Sequence, residues 1–291
     1  DPRGPSVDLP YYLPGLRKIK EEEELVRWMR KYPAPYLVED KIDGLSILII
    51  YTIATRQTKI LTRGGGSKGQ DISHLAPYLQ LPQWENLDRV LKSGQKMVSA
   101  GVEGKELAIR GELVMHEATF DVYKDKHQFK TARNLVAGIV HSKKDFEAAR
   151  DLHFYAYRVM SAKLLPTEEI SLLQRLGFLV PGLVSINKGV TFSKDQLEEY
   201  FNQRKTQTPY RIDGLVIYQN KIVDYEFGEL PHHVIAFKTK PESVLTTVTK
   251  VVWKASKGRL LKPVIWIEPV IIQNVEIARA TGYNARFIVE K

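Results

Sequence analysis

The sequence predicts an α+β fold made of antiparallel sheets with flanking helices, followed by a small all-β unit. In residues 1–242, strand and helical patterns are interspersed rather than strictly alternating, which is typical of the α+β class. In residues 243–291, three strand patterns follow one another with basic loops and no helix between them. The sequence character changes just after Pro241, so we expect two domains, 1–242 and 243–291.

The first half of the larger domain opens with a helix and continues as strands. EEEELVRWMRKY places apolar residues at helical spacing and ends at Pro33. Three strand patterns follow: YLVED, SILIIYT and KILTR. GGGSKGQD is expected to be a turn or loop, because three successive glycines relax the backbone φ angle. ELAIRGELVM is a further strand, in which Gly111 permits a bulge or the close approach of another backbone.

Capping signals mark two helices in the second half of the chain. TEEISLLQRLG is a predicted helix with Thr167 near its N-cap and Gly177 at its end. SKDQLEEYFNQR is a predicted helix that opens with a capping box from Ser193 to Gln196. The remaining patterns are helices at 117–125 and 131–141, and the strands LHFYAYRV, IDGLVIY, VIAFKT, TTVTKVVWKAS, LKPVIWIEPVII and VEIARAT.

Composition points to an intracellular protein with a polyanionic partner. The 291 residues carry a formal net charge of +9, which favours nucleic acid as that partner. The absence of cysteine excludes disulfides and cysteine-ligated zinc. No apolar stretch approaches about 20 residues, and DPRGPSVDLP is neither a signal nor a transit peptide. We therefore expect a cytoplasmic or nuclear protein that is not secreted and does not contact a membrane.

The segment VEDKIDG places Lys41 beside several carboxylates at the mouth of an apolar strand. A lysine at a strand end is usually a surface residue whose ammonium reaches solvent. As a neutral amine it could instead attack a phosphorus or carbonyl centre, provided that desolvation or positive charge favours loss of its proton. The neighbouring acids suit such a site only when they hold a cation such as Mg²⁺. Further charged residues follow in short motifs: Arg63 in TRGGG, Glu112 in RGE, Arg133 in ARNLVAG, Asp213 in IDG, and Lys238 and Lys240 in AFKTK.

The order of these motifs resembles that of the NAD⁺-dependent DNA ligases. The shared motifs are Lys-x-Asp-Gly, Thr-Arg-Gly, Arg-Gly-Glu, Arg-Asn-x-x-Ala-Gly, Ile-Asp-Gly-x-Val-Ile and Ala-Phe-Lys. The resemblance covers the adenylation domain from about residue 7 to 242. The tail KGRLLKPVIWIEPVIIQNVEIARAT is similar to the start of the family's OB-fold domain. The overall character is that of a divergent, viral member.

This resemblance implies a fold and a reaction. The fold would be an ATP-grasp-like nucleotidyltransferase domain, followed by about three of the five strands of an OB fold. Lys41 would attack the α-phosphate of NAD⁺, expel nicotinamide mononucleotide and hold AMP as a phosphoramide. AMP would then pass to the 5′-phosphate of a nick, and the 3′-hydroxyl would displace it. The implied partner is nicked duplex DNA, the implied roles are DNA repair and replication, and we expect a monomer.

Individual roles follow from the same resemblance. Glu39 would contact the adenine amino group, Tyr157 would stack on the base, and Lys238 would contact the α-phosphate. Glu112 would bind the ribose hydroxyls or organise the metal, and Asp43 and Asp213 would hold Mg²⁺ or orient the lysine. The implied sets are catalytic Lys41, Asp43 and Lys238; nucleotide-binding Glu39, Arg63, Glu112, Tyr157 and Lys238; Mg²⁺-binding Asp43, Glu112 and Asp213; and DNA-binding Arg133, Lys257 and Arg259. Taken singly, most of these residues also fit solvated strand-end charges, and Tyr157 also fits a core position.

The chain departs from the family pattern at several positions. Gly65 replaces an acid in the Thr-Arg-Gly motif, Tyr218 replaces a lysine, and His141 replaces an arginine. The family's helical domain for the nicotinamide mononucleotide half has no counterpart in this sequence, so free NAD⁺ is expected to react poorly with the chain as it stands. Two alternatives stay open: an ATP- or GTP-dependent nucleotidyltransferase, such as an RNA ligase or capping enzyme, and a catalytically weak nick-binding module.

Overall fold

The computed structural model describes most of the chain and divides it into two compact units. The units are Asp1–Thr239, called the N-terminal unit below, and Lys240–Lys291, called the C-terminal unit. The described residues are 6–92, 106–127, 129–142, 147–223, 228–239, 243–255, 260–272, 275–283 and 285–290. Within these ranges, no helix has both the length and the apolar character needed to cross a membrane.

Strands and helices are interspersed along the N-terminal unit, as the sequence predicts. Its strands are β1 Ser6–Asp8, β2 Arg17–Ile19, β3 Tyr36–Ile42, β4 Leu45–Thr52, β5 Gln57–Thr62, β6 Lys68–Gln70, β7 Glu106–Met115, β8 Leu152–Val159, β9 Leu183–Ile186, β10 Ile212–Gln219 and β11 Val234–Phe237. Its helices are α1 Glu22–Lys31, α2 Trp84–Lys92, α3 Glu117–His127, α4 Ala132–His141, α5 Pro166–Arg175 and α6 Lys194–Gln207, with 3-10 turns at Ser73–Leu75 and Glu147–Asp151.

Two sheets form the framework of the N-terminal unit. One has the strand order β2-β11-β10-β3-β9, and the other has the order β5-β4-β7-β8. Their pairings are antiparallel except for β2, which runs parallel to β11. Strands β1 and β6 form a separate antiparallel pair. The mixed, mainly antiparallel architecture confirms the predicted α+β class.

Each sheet is covered by amphipathic helices. Apolar residues of α4 and α5 pack against the four-stranded sheet, and those of α1 and α6 pack against the five-stranded sheet. Trp28 of α1 is buried, and its indole N–H donates to the carbonyl of His232 at 2.8 Å. Each fully buried large apolar side chain contributes about 1.5–3 kcal/mol through removal of its surface from water. The helices thereby hold the sheets rigidly in place.

Gly111 marks a bulge, as expected from ELAIRGELVM. The register between β7 and β8 shifts between Arg110 and Gly111. A Cβ at this position would lie 2.4 Å from the Phe154 ring and 2.4 Å from the Tyr155 carbonyl oxygen. Only glycine permits the approach of β8, so the prediction of a close backbone contact is confirmed.

Helix α5 begins at Pro166, the first helical position that proline favours, and Thr167 follows in the first turn, near the N-cap as predicted. One local prediction is wrong in part: three of the eight residues of the predicted GGGSKGQD loop form strand β6, whose pairing with β1 the local pattern does not reveal. The capping box is confirmed: Ser193 Oγ accepts from the Gln196 amide at 3.3 Å, and Gln196 Oε1 accepts from the Ser193 amide at 2.9 Å.

The C-terminal unit contains the three strands that the sequence predicts. They are β12 Val248–Ala255, β13 Leu261–Ile272 and β14 Val275–Thr281, and they form an antiparallel sheet in that order. A short helix, α7 Ala285–Glu290, follows the strands and was not predicted. The predicted DNA contacts Lys257 and Arg259 lie outside the described residues.

Candidate active site

A cleft of about 1230 Å³ is lined by residues from both sheets of the N-terminal unit. Strands β3, β10 and β11 contribute from one sheet, and β4, β7 and β8 contribute from the other. The cleft gathers residues that are far apart in the sequence. The predicted site residues that line it are Glu39, Lys41, Arg63, Glu112, Arg133, Tyr157, Asp213 and Lys238.

The charged side chains of the VEDK segment point to two different faces of strand β3. Successive side chains of a strand point to opposite faces, so Glu39 and Lys41 share one face and Asp40 lies on the other. Arg204 of α6 holds Asp40 with its Nε at 2.9 Å and its Nη2 at 2.8 Å. The Tyr210 hydroxyl also donates to Asp40, at 2.9 Å. Asp40 is therefore a structural anchor, and only the neighbouring Glu39 and Lys41 are presented for chemistry.

Lys41 shares one carboxylate with a second lysine. Its Nζ donates to Asp213 Oδ1 at 2.7 Å, and the Nζ of Lys238 donates to Asp213 Oδ2 at 2.5 Å. Burial acts to raise the pKa of Asp213, but the two ammonium groups outweigh it and hold that pKa below its ordinary value. Asp213 is therefore an anion that fixes two cations side by side. Strand pairing produces this arrangement, because β10 lies between β3 and β11.

Two glycines permit this close packing. A Cβ at Gly44, directly after Asp43, would lie 2.4 Å from the Leu113 carbonyl oxygen. A Cβ at Gly214, directly after Asp213, would lie 2.2 Å from the Phe237 carbonyl oxygen. The glycine in each Asp-Gly pair is thus required by a neighbouring backbone.

Asp43 lies near the cleft but is engaged by an arginine. Arg133 Nη1, at the start of α4, donates to Asp43 Oδ1 at 2.8 Å. The arginine is exposed and lines the cleft. Its remaining donors are therefore accessible to a phosphate at the cleft rim.

Glu112 and Tyr157 form a second polar group in the cleft. The Tyr157 hydroxyl lies 3.3 Å from Glu112 Oε2 and 3.2 Å from Ser46 Oγ. Burial raises the pKa of Glu112 to about 7, although the positive charges of Arg110, Lys41 and Arg133 oppose that increase. Glu112 is consequently balanced between its charged and neutral forms near neutral pH.

Two guanidinium groups in the cleft are held by the same loop. Arg63 Nε donates to the Leu13 carbonyl at 2.9 Å, and Arg110 Nη2 donates to the Pro14 carbonyl at 3.0 Å. The Arg110 guanidinium also lies 5.7 Å from the centre of the Tyr157 ring. These bonds fix the direction of two cations that line the space next to Glu112.

Glu39 belongs to a further buried group that the sequence did not predict. Its Oε1 accepts from the Tyr218 hydroxyl at 2.6 Å. The Arg158 guanidinium stacks 3.5 Å from the centre of the Tyr218 ring, and its Nη1 donates to Glu169 at 3.0 Å. Burial raises the pKa of Glu39 to about 7, while the Arg158 charge and the Tyr218 hydrogen bond act in the opposite direction.

Comparison with known families decides where this arrangement belongs. The family model for the NAD-dependent DNA ligase adenylation domain matches residues 16–242. The chain belongs to the NAD-dependent DNA ligase family. This match confirms the family assigned from the motif order.

Among relatives of this ligase family, viral and bacterial proteins match almost the whole chain. The DNA ligase of Acanthamoeba polyphaga mimivirus is 34% identical over 296 residues, covering 99% of this chain and 43% of that protein. Putative DNA ligase 052L of Invertebrate iridescent virus 3 is 30% identical, covering 99% of this chain and 41% of that protein. The DNA ligase of Brachyspira hyodysenteriae is 26% identical, covering 97% and 43%. The chain thus spans less than half the length of these relatives.

A solved structure shows the same fold at low sequence identity. The structure titled "Pmar-Lig_PreS3" superimposes with a TM-score of 0.56 at 11% identity. It covers 96% of this chain and 58% of that chain. The likeness shows a shared fold and carries no information about substrate.

The three acids that the ligase resemblance assigns to Mg²⁺ do not form a metal cluster. No group of three or more potential histidine or acidic ligands comes together within the described part of the chain. Asp43 bonds Arg133, Asp213 bonds Lys41 and Lys238, and Glu112 bonds Tyr157. These residues alone therefore do not fit a resident metal site, and Mg²⁺ binding stays a prediction.

Two residues of the cleft were not predicted from the sequence, although signals were present. Arg110 is part of the RGE motif, from which only Glu112 was predicted as a site residue. Arg158 directly follows Tyr157 and is a buried arginine within a mainly apolar strand. A cation in such a strand requires a buried partner, so an arginine at this position indicates a buried polar group.

Proposed function

We propose that this chain is the core of an NAD⁺-dependent DNA ligase, which forms a lysyl-AMP intermediate on Lys41 from NAD⁺. One observation carries the proposal: Lys41 lines a cleft of about 1230 Å³, and its Nζ is fixed by a carboxylate that also fixes a second ammonium. An isolated surface lysine would have neither the cleft nor the shared anchor. The family match supports the same reaction.

The first step exchanges one bond to phosphorus for another. The nitrogen of Lys41 attacks the α-phosphorus, the pyrophosphate P–O bond breaks, and nicotinamide mononucleotide leaves with that oxygen. Nζ must lose a proton, and Asp213 Oδ1, at 2.7 Å, is the acceptor that touches it. Lys238 is close enough to place positive charge against the phosphate oxygens. Catalysis of this kind depends on positioning and charge neutralisation.

The other cleft residues hold the AMP moiety. Glu39 accepts a hydrogen bond from the adenine amino group, Tyr157 stacks on the base, and Glu112 bonds the ribose hydroxyls. Arg63, fixed by the Leu13 carbonyl, contacts phosphate. Any Mg²⁺ would have to be held largely by the nucleotide phosphates, since the nearby acids are already paired with cations.

Transfer to DNA completes the proposed reaction. AMP passes from Lys41 to the 5′-phosphate of a nick, and the 3′-hydroxyl then displaces it to seal the strand. Arg133, exposed at the cleft, contacts the nicked strand. The C-terminal unit is part of an OB fold that contacts duplex DNA through Lys257 and Arg259, and the chain acts as a monomer. Replacing either residue by alanine should weaken binding to nicked duplex and reduce the salt slope by about 1.

Intact-mass measurement tests the first step. The chain is incubated with Mg²⁺ and NAD⁺, ATP or GTP, and the protein is then weighed. We expect a gain of one AMP from NAD⁺ only, formed slowly because free NAD⁺ is expected to react poorly with this chain. The adduct should be lost in Lys41→Arg, which keeps the charge but removes the nucleophile. Lys59→Ala, on the exposed part of β5, is the matched control and should keep the adduct. An ATP or GTP adduct on Lys41, with none from NAD⁺, would contradict the proposed donor.

Sealing of a pre-adenylated nick tests the later steps separately. This substrate bypasses the need for NAD⁺ in the first step. We expect ligated product, measured by denaturing gel electrophoresis. Failure to seal this substrate would contradict the assignment of the chain as a ligase core and favour a nick-binding module.

A further inference from the structure

The two carboxylate oxygens of Glu39 have different surroundings. Oε1 accepts the Tyr218 hydroxyl at 2.6 Å. Oε2 is buried, and no donor among the described residues reaches it. Glu39 itself is only 2% exposed and lines the cleft. A buried acceptor without a partner is costly unless a ligand supplies the missing donor.

Tyr218 is clamped in the position that makes this asymmetry. Its ring lies 3.5 Å from the Arg158 guanidinium, which is itself fixed by an ion pair with Glu169 at 3.0 Å. Arg158 and Glu169 are both buried, so the pair is little screened by solvent. The family resemblance expects a lysine at position 218. In this chain the positive charge at this place comes from Arg158, whose guanidinium lies on the face of the Tyr218 ring. In the family pattern it would be the ammonium of a lysine at position 218 itself.

We propose that Tyr218 and Arg158 determine which purine the cleft accepts: Tyr218 leaves Glu39 a single free acceptor, and the Arg158 guanidinium favours the charged form of that acceptor. Tyr218 is then a specificity-determining residue, and Arg158 is a positioning residue. The inference rests on the proposed function in one respect, namely that an AMP moiety occupies this cleft.

The chemistry of the base edges gives each residue a separate effect. Adenine offers its 6-amino group to one acceptor, which Oε2 satisfies. Guanine presents two adjacent donors, N1–H and the 2-amino group, and both oxygens of a carboxylate are needed to pair them. Because Tyr218 occupies Oε1, one guanine donor would remain unpaired, and an unpaired buried donor is strongly disfavoured.

Arg158 affects the discrimination between adenine, which has an amino group at C6, and hypoxanthine, which has an oxygen there. A charged Glu39 accepts from the 6-amino group of adenine and repels the 6-oxo group of hypoxanthine. Loss of Arg158 would favour protonated Glu39, whose O–H could donate to that oxygen. The charged or titratable groups that act on Glu39 are Asp40 on its own strand, Arg158 and Tyr157 on β8, Tyr218 on β10 and Glu169 on α5. His233 acts on Arg158 in turn.

Calorimetric binding of AMP, GMP and IMP to the purified chain tests both effects without a covalent step. The wild type should bind AMP about tenfold more tightly than GMP or IMP. Tyr218→Phe should reduce the AMP-to-GMP affinity ratio about fivefold, because Oε1 becomes free to accept. Tyr51→Phe is the matched control: Tyr51 is a buried tyrosine that does not line this cleft, and its hydroxyl has no hydrogen-bond partner among the described residues.

The arginine is tested with its buried partner removed as well. Arg158→Gln with Glu169→Gln avoids leaving an unpaired buried charge. We expect the AMP-to-IMP ratio to fall about tenfold at pH 7 and to recover as the pH rises and Glu39 ionises. Arg158→Lys should retain most of the discrimination. Arg150→Gln is the control, since Arg150 also lies over a tyrosine ring, at 5.3 Å from that of Tyr78, but away from this cleft.

The outcomes separate this inference from the proposed function. Unchanged AMP, GMP and IMP ratios in Tyr218→Phe and the double variant would overturn the inference, and so would a wild type that does not bind AMP. If the Lys41 adduct forms while the ratios stay unchanged, the proposed function stands and the inference fails. If the ratios shift as expected but no adduct forms, the inference stands and the proposed transfer fails. Thermal unfolding of each variant verifies folding, and Tyr218→Phe alone decides the guanine effect should the double variant not fold.

Discussion

Arg204 forms a two-pronged ion pair with Asp40, with its Nε 2.9 Å from Oδ1 and its Nη2 2.8 Å from Oδ2. This pair ties α6 to β3 directly behind Lys41. Asp40 is only 2% exposed, so its charge depends on the arginine and on Tyr210 for compensation. The acid immediately before the proposed nucleophile therefore stabilises the strand, because its carboxylate is bound by Arg204 and Tyr210.

Arg204→Ala should destabilise the fold without altering the cleft chemistry. Removing one partner leaves a buried, uncompensated carboxylate, which costs about 3 kcal/mol. Urea unfolding measures the change. Lys124→Ala breaks an exposed pair with Asp121 and should change the unfolding free energy by less than about 0.5 kcal/mol. Equal effects of the two variants would contradict the anchoring role.

Local sequence pattern predicted most of the long strands, but it did not predict which strands pair with one another. YLVED, SILIIYT and ELAIRGELVM are recognisable because each places a run of apolar residues in a strand. β1, β2 and β6 are three residues long, too short for a periodicity to appear. Their existence depends on pairing with distant segments.

The cleft shows the same contrast: residues in short motifs were predicted, but the contacts between distant residues were not. Lys41, Asp213 and Lys238 were found because each belongs to a short motif in a recognisable order. The Glu39–Tyr218 hydrogen bond joins residues 179 positions apart, and neither residue's local pattern encodes that contact. That Lys41, Asp213 and Lys238 line one cleft was therefore predictable from the sequence, whereas hydrogen-bond partners and charge states required the packed sheets.

Asp213→Asn should slow formation of the lysyl-AMP adduct about 10- to 100-fold. The amide keeps the shape but loses the charge that fixes both ammonium groups, so Lys41 is no longer held for attack. The adduct rate is measured by intact mass at fixed NAD⁺ concentration. Asp88→Asn, in a carboxylate–arginine pair with Arg56 outside the cleft, should leave the rate unchanged. A wild-type rate for Asp213→Asn would remove Asp213 from the mechanism.

Gly44→Ala should destabilise the chain far more than Gly65→Ala. The new Cβ at position 44 would lie 2.4 Å from the Leu113 carbonyl oxygen, which cannot move without disrupting β7. A Cβ at position 65 meets no atom of the described residues within 4 Å. We expect a loss of about 2 kcal/mol or more at position 44 and less than about 0.5 kcal/mol at position 65, measured by urea unfolding. Comparable losses would show that the Gly44 contact is not decisive.

His233 should make stability fall as the pH drops from about 6.5 to about 4. Burial and the nearby Arg158 charge lower the pKa of this histidine to about 4, whereas the unfolded chain titrates near 6.5. In that window the unfolded state binds the extra proton and the folded state does not, so acid favours unfolding by about 3 kcal/mol in total.

The measurement is the pH dependence of the unfolding free energy in His233→Gln and in the wild type. The substitution should remove this part of the slope, whereas His74→Gln, at an exposed position, should leave it in place. The comparison is needed because Glu39, Glu112 and Glu169 have pKa values raised to about 7 and act in the opposite sense, losing stability as the pH rises from about 4.5. An unchanged slope in His233→Gln would contradict the buried neutral histidine.

Moving the positive charge from position 158 to position 218 tests how this chain differs from its family. Tyr218→Lys alone places an ammonium against the buried Arg158 guanidinium, so we expect loss of stability and of AMP affinity. Combined with Arg158→Met, the new lysine can take over the cation's place next to Glu39 and Glu169. The double variant should therefore be better than the sum of the single effects, with a coupling energy above about 1 kcal/mol by unfolding and AMP titration. Strictly additive effects would mean that Arg158 does not stand in for the lysine that the family places at position 218.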